Sequence, residues 1–142
     1  LRSSTWAIQL LAKITLGVVS GTTEATSQDI DSSVVGVQID SGNMSVIVSQ
    51  SEYEAANNDE QGIDFGISYK VSDDLKLVGY TTEVEDDSTS EEYSNTGVEA
   101  VYTIASGLSA ILTVEDYDYK KGSATGVNDS GTESKLTIKA KF

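Results

Sequence analysis

Asp116 and Asp118 are separated by one residue in a stretch of alternating chemistry, so an extended chain carries both carboxylates on one side, about 7 Å apart. Two carboxyl groups roughly 5–10 Å apart are the minimum for acid–base cleavage of a glycoside. Any strand with acids at i and i+2 passes that test, and only scattered Tyr residues accompany this pair. The signal is too unspecific to make Asp116 and Asp118 catalytic groups. The densest acidic group, Asp86, Asp87, Glu91 and Glu92, is the one candidate for Ca²⁺, a hard cation that takes about 6–8 oxygen ligands. No Asp-x-Asp-x-Asp-Gly arrangement is present, and a run of acids is ordinarily a solvated surface. The chain has no His and no Cys, which excludes His-ligated zinc, thiol chemistry, disulfides and Ser-His or Cys-His nucleophiles. No catalysed reaction and no obligatory cofactor are expected.

The cations are arranged differently. Lys13, Lys70, Lys135, Lys139 and Lys141 each fall opposite an apolar set in an alternating run. A period of two is the mark of a β-strand with one dry and one wet face. On the wall of a pore such lysines bias which ions pass, as charged rings do. Ordinary solvation on a water-facing sheet explains them equally well, so their meaning depends on the elements that carry them.

The cleanest element is the closing stretch, residues 132–142, with Leu136, Ile138, Ala140 and Phe142 on one face and Lys135, Thr137, Lys139 and Lys141 on the other. About 9–11 residues is also what a tilted strand needs to cross a bilayer. Residues 5–19 alternate in the same way, with Trp6, Ile8, Leu10, Ala12, Ile14, Leu16 and Val18 in phase; an amphipathic helix is the alternative there. Lys13 in mid-stretch spoils a signal-peptide core. Further strands are expected over 33–40, 44–53, 62–71, 75–85, 96–105 and 108–118. The phase of 75–85 stays open, because Leu75 and Leu77 fall on one face and Val78, Tyr80 and Val84 on the other. Tyr117 and Tyr119 read as aromatics at the edge of an apolar span.

Ser41-Gly42-Asn43, Ser72-Asp73-Asp74 and Ser106-Gly107 read as tight turns, and 20–32, 55–61, 86–94 and 119–131 as long polar loops. Eight strands with short and long connections in strict alternation put every tight turn, and Phe142, at one end. Pro is absent, which leaves every ladder donor in place. The expectation is an all-β fold, an antiparallel transmembrane β-barrel, with residues 1–142 forming one domain or a piece of a larger one. No run of 18 or more apolar residues exists, so a closed barrel is the remaining way to span a membrane. A net charge of −14 repels nucleic acid. The chain starts at Leu1, not Met, which leads one to expect a processed, truncated or fragmentary sequence.

Three segments, Phe65 to Tyr80, Thr96 to Leu108 and Asp116-Tyr-Asp-Tyr119, together with Phe142, resemble the carboxy-terminal half of a Gram-negative general diffusion porin, most of all those of alphaproteobacteria. The likeness covers residues 62–142 by motif and 1–61 by pattern only. It implies a 16-stranded, water-filled barrel in the bacterial outer membrane, set among lipid and lipopolysaccharide and assembled as a homotrimer. It also implies passive diffusion of small hydrophilic solutes and ions, with Lys13, Lys70, Lys135, Lys139 and Lys141 on the pore wall. In that family a terminal aromatic such as Phe142 is recognised during insertion. The inward-folded loop that narrows such pores has no counterpart in the pattern, and only eight strands are read.

Two rival readings remain. A complete eight-stranded barrel, anchoring or adhesive, fills its interior with side chains; the small Gly36, Gly62, Gly66, Ser68 and Thr137 on the wet face speak against it. A soluble β-sandwich binding module brings the apolar faces of two sheets together.

Overall fold

The structure is a computed structural model that describes residues 12–24, 29–55, 58–122 and 126–141. They form eight strands: β1 (Ala12–Glu24), β2 (Asp29–Ser41), β3 (Met44–Ala55), β4 (Asn58–Lys70), β5 (Leu75–Asp86), β6 (Glu91–Ala105), β7 (Leu108–Lys120) and β8 (Asp129–Ala140). Each strand pairs antiparallel with the next, giving one sheet in sequence order. Among the described residues, contacts between elements run only between consecutive strands, so the sheet is a single layer whose edges, β1 and β8, stay apart. No hydrophobic side chain of these residues is buried.

Local chemistry sets the turns. Gly42 and Gly107 take φ of +58° and +78°, a region in which a Cβ is penalised and which two-residue hairpins demand. In the turn after β4, the N–H groups of Val71 and Ser72 donate to the Leu75 carbonyl, and the Ser72 hydroxyl accepts from the Leu75 N–H at 3.1 Å. Between Thr103 and Ala105 a register shift leaves Ile104 outside the pairing of β6 with β7.

Much of the expected long loops is paired strand. Strand pairing runs on to Glu24↔Asp29, Ala55↔Asn58, Asp86↔Glu91 and Tyr119↔Asp129, through mostly polar residues. The connection between Ala55 and Asn58 is as short as that between Ser41 and Met44, so connection length does not alternate. Backbone hydrogen bonding needs no apolar face, and Ser, Thr, Glu and Tyr extend a ladder that the hydrophobic pattern leaves unmarked. Residues 5–11, with Trp6, Ile8 and Leu10, and the terminal Phe142 lie outside the described residues. Residues 12–19 are strand, not helix.

The register fixes the phase that periodicity left open. Tyr69 partners Leu77 and Ser68 partners Val78, so Leu75 and Leu77 share the face of Ile67 and Tyr69, while Lys76, Val78 and Tyr80 share the face of Ser68 and Lys70. One straight row crosses the sheet through Thr15, Gln38, Ile47, Gly66, Tyr80, Gly97, Glu115 and Glu133. Against it, β3 starts three residues below Ile47 at Met44, β5 five below Tyr80 at Leu75, and β7 seven below Glu115 at Leu108. The turn end therefore steps by one residue per strand. With about 3.3 Å of rise per residue and about 4.8 Å between strands, that step inclines the strands by roughly 35° from the normal to the line of turns. Closed barrels tilt their strands by about 35–45°.

Candidate functional site

Among the described residues the candidate side chains meet on the two faces of the sheet, and these differ in chemistry. One carries an unbroken apolar patch near the tight turns. Leu16, Val37, Val48 and Phe65 are successive cross-strand partners in it, and Tyr102, Ala110 and Ile138 continue it across β6 to β8. These side chains stand in the open; Leu136 is 69% and Ile138 60% exposed. The upper limit of the patch moves across the sheet. Val18 and Ile63 lie three residues above the straight row, Val114 lies one below it, and Leu136 three below. The limit is nearly level from β1 to β4 and lower from β5 to β8, a drop in the same sense as the stagger of the turns. On β7 the band runs from Leu108 to Val114, about 20 Å along the strand. Tyr69 and Tyr102, both 51% exposed, sit on this face toward the turns.

Beyond the band the same face turns polar. Glu52, Glu83, Asp116 and Asp118 occupy it, the Thr132 hydroxyl donates to Asp116, and Lys120 pairs with Glu92 at 2.9 Å. Asp116 and Asp118 do share a face, as their spacing required. Tyr117 and Tyr119 do not share it: they lie opposite Leu112 and Val114, on the hydrophilic face, where Tyr119 partners Tyr93. They are not edge aromatics of the apolar span. A strand's parity decides this, and counting from Val114 gives the same answer.

The hydrophilic face is zoned. Lys13, Lys70 and Lys139 lie on it near the tight turns, joined by Lys76, which is the direct partner of Lys70. Lys141 follows β8 at the same end, its N–H bonded to the Gly107 carbonyl at 2.7 Å. Lys135 lies higher, partnering Thr113. Lys76 was hidden in the sequence because the phase of its strand was open; the three-residue turn Ser72-Asp73-Asp74, which sets Lys70 opposite Lys76, was the available signal. Lys70 donates to Asp73 at 2.8 Å and holds that carboxyl below the usual carboxylate range.

Above the lysines the face carries carboxylates that neighbouring strands hold in place. Asp64 accepts from the Thr82 and Ser49 hydroxyls at 2.7 and 3.3 Å. Glu99 accepts from Thr113 at 3.1 Å. Glu115 accepts from the Tyr80 hydroxyl at 2.6 Å and from the Asn95 amide at 3.2 Å, so side chains of β5 and β6 fix a carboxylate of β7. Tyr80 reaches it because Gly97 has no side chain; a Cβ there would stand 2.5 Å from the phenol. Glu115 and Glu133 are direct partners in paired strand.

The four Ca²⁺ candidates do not converge on one site. Asp86 partners Glu91 on the hydrophilic face, while Glu92 partners Glu85 on the other and is taken up by Lys120. Asp86 accepts the N–H groups of Ser88 and Thr89 at 2.8 and 3.1 Å, and Asp87 accepts from Gln61 at 3.2 Å. Pairing through a hairpin sends consecutive acids to opposite faces, and among the described residues no group of three acids could hold a metal ion. Neither a protein-family model nor a curated protein sequence matches the chain.

Proposed function

We propose that this sheet is a wall segment of a β-barrel pore in a bacterial outer membrane, with the apolar band toward lipid and the zoned face toward a water-filled lumen. Small hydrophilic solutes and ions pass by diffusion, without chemistry. The observation that carries this reading is that the apolar band drops across the sheet in the same sense as the turns. A bilayer demands a band at constant depth across tilted strands, and these strands carry their Leu, Ile and Val accordingly. Each such side chain gains about 1.5–3 kcal/mol on leaving water, so the band needs a cover. Its height, somewhat below the roughly 25 Å apolar belt of known barrels, is extended by Thr81, Thr96 and Thr132 on the same face.

In lipid every backbone group must be paired, so β1 and β8 are to be closed by further strands of the same wall. Among the described residues the sandwich reading lacks a second layer against which the band could pack. The narrow eight-stranded barrel lacks the β1–β8 pairing among the described residues, and small residues such as Gly17, Gly36 and Gly66 face the space its filling would occupy. A homotrimer of complete barrels belongs to this proposal through the family resemblance alone.

Because the chain contains no Cys, single cysteines report each face cleanly. In outer-membrane vesicles, Thr113→Cys and Thr137→Cys are expected to react with a membrane-impermeant maleimide, and Leu112→Cys and Ile138→Cys to resist it. Equal labelling of all four would overturn the membrane reading.

A further inference from the structure

We propose that the hydrophilic face makes the pore cation-preferring and rectifying, because its charges are separated along the pore axis. The inference rests on the pore reading above. At the turn end stand Lys13, Lys70, Lys76 and Lys139, partly offset by Asp40, Asp73 and Asp74. Above them stand Asp64, Glu99, Glu115 and Glu133, with Lys135 as the one cation among them, and higher still Glu60, Asp86, Glu91 and Asp129. The acids therefore outweigh the lysines, and the excess of positive charge is confined to one rim.

Position decides whether such a pattern acts as one average charge or as two zones. Lys139 partners Ser109, six residues from Glu115 on the same strand, which is about 20 Å. The screening length is about 10 Å at ~0.1 M salt and about 3 Å at ~1 M. At the lower salt each zone governs its own stretch of lumen, and at the higher neither reaches far from the wall. The carboxylates are also fixed in direction: Glu115 by Tyr80 and Asn95, Asp64 by Ser49 and Thr82, Glu99 by Thr113. A charge held on the wall keeps its field on the path of the ion.

The sign of the rectification follows. With the carboxylate end positive, cations enter past the acids and anions enter past the lysines. Both accumulate where the zones meet, near Glu99 and Lys76, and the current rises. The opposite polarity draws both ions out of that zone and the current falls. Since acids dominate, the net preference is for cations.

The test is the current–voltage curve and salt-gradient reversal potential of the protein purified from outer membranes and inserted in a planar bilayer. Its sidedness is set by labelling Asp74→Cys in the turn. At ~0.1 M potassium chloride the current with the carboxylate end positive is expected to exceed that of the opposite polarity by about twofold, and the two are expected to converge at ~1 M. Glu99→Gln with Glu115→Gln should lower both the cation preference and the asymmetry. Replacing Lys13, Lys70, Lys76 and Lys139 by Gln should lower the asymmetry while raising the cation preference, a split that no general loss of structure produces. Tyr80→Phe, which keeps the ring over Gly97 and leaves Glu115 held by Asn95 alone, should act like a weaker Glu115→Gln and serves if the charge variants fail to insert. A conducting pore with equal currents at both polarities, or with a reversal potential unmoved by both charge sets, overturns the inference and leaves the pore reading standing. Protein that shows the face-dependent labelling yet carries no current removes both.

Discussion

Between Leu108 and Val114, β7 alternates Leu, Ala, Leu and Val with Ser, Ile and Thr; from Glu115 to Lys120 the same strand alternates Asp116, Asp118 and Lys120 with Glu115, Tyr117 and Tyr119. Pairing with β6 and β8 continues through both halves, and backbone geometry alone does not distinguish them. What changes is the solvent each half can tolerate. The half near the turns has one face that must leave water, and the other half has none. Hydrophobic alternation therefore reports where a strand meets an apolar surface, and says little about where the strand stops. The two halves also end differently: glycines at positive φ close the tight turns at Gly42 and Gly107, while at the other end Ser90 takes φ of +57°.

The sharpest way to break this comparison is to place the same charge in each half of one face. Ile138→Arg, inside the band, is expected to cost about 2–4 kcal/mol of folding stability in a bilayer, while Ser130→Arg, on the same face beyond the band, costs about 0–1 kcal/mol. Thr137→Arg, next to Ile138 but on the hydrophilic face, should resemble Ser130→Arg. Urea or guanidinium unfolding from liposomes gives all three values. Equal losses for Ile138→Arg and Ser130→Arg would show that the band does not lie in lipid.

The turns provide the next contrast. At Gly107 an added Cβ meets the left-handed penalty and the Lys141 carbonyl at 2.6 Å. Gly42 meets only the penalty, with nothing within 4 Å. Gly42→Ala is thus expected to cost about 1–2 kcal/mol and Gly107→Ala more, whereas Ser90→Gly removes a comparable strain and should stabilise by up to about 1 kcal/mol. Unfolding midpoints of the three variants rank them. A Gly107→Ala variant no worse than Gly42→Ala would mean that the Lys141 carbonyl moves aside freely.

Much of the band half was legible in the sequence: Ile63, Phe65, Ile67 and Tyr69, or Leu136, Ile138 and Ala140, announce both strand and face through period two. The polar half was not, because Ser20 opposite Ser33, or Glu54 opposite Asp59, form a ladder with no hydropathy signature. The strand order followed from the tight turns, yet the face of β5 needed register. Gly79 and Thr81 interrupt its apolar side while Val78, Tyr80 and Val84 decorate the other. The lysines opposite the band were readable by parity. The held carboxylates were less so, since Glu115 is fixed by Tyr80 and Asn95 from strands well removed in sequence, a meeting that only pairing across β5, β6 and β7 brings about.

The smallest expected effect concerns the turn after β4, where both halves are absent and only water surrounds the charges. Lys70 donates to Asp73 at 2.8 Å, with the Asp73 side chain 96% exposed, and the ammonium lowers the carboxyl pKa below its ordinary value of 3.8, first through the hydrogen bond and then through charge. A carboxyl whose folded pKa is depressed stabilises the fold above its unfolded pKa and loses that contribution as pH falls through the folded value. The window therefore lies below about pH 4, and at neutral pH the contribution is constant. Surface pairs of this kind are screened by salt and weak in water, so Lys70→Gln should leave the unfolding midpoint at pH 7 nearly unchanged. What it should move is the titration of Asp73 itself, followed by the carboxyl carbon in NMR, whose midpoint is expected to rise toward 3.8 in the variant. An Asp73 midpoint indifferent to Lys70→Gln would show that the pair does not persist in solution, and that the cationic rim holds one more uncompensated charge than the geometry assigns it.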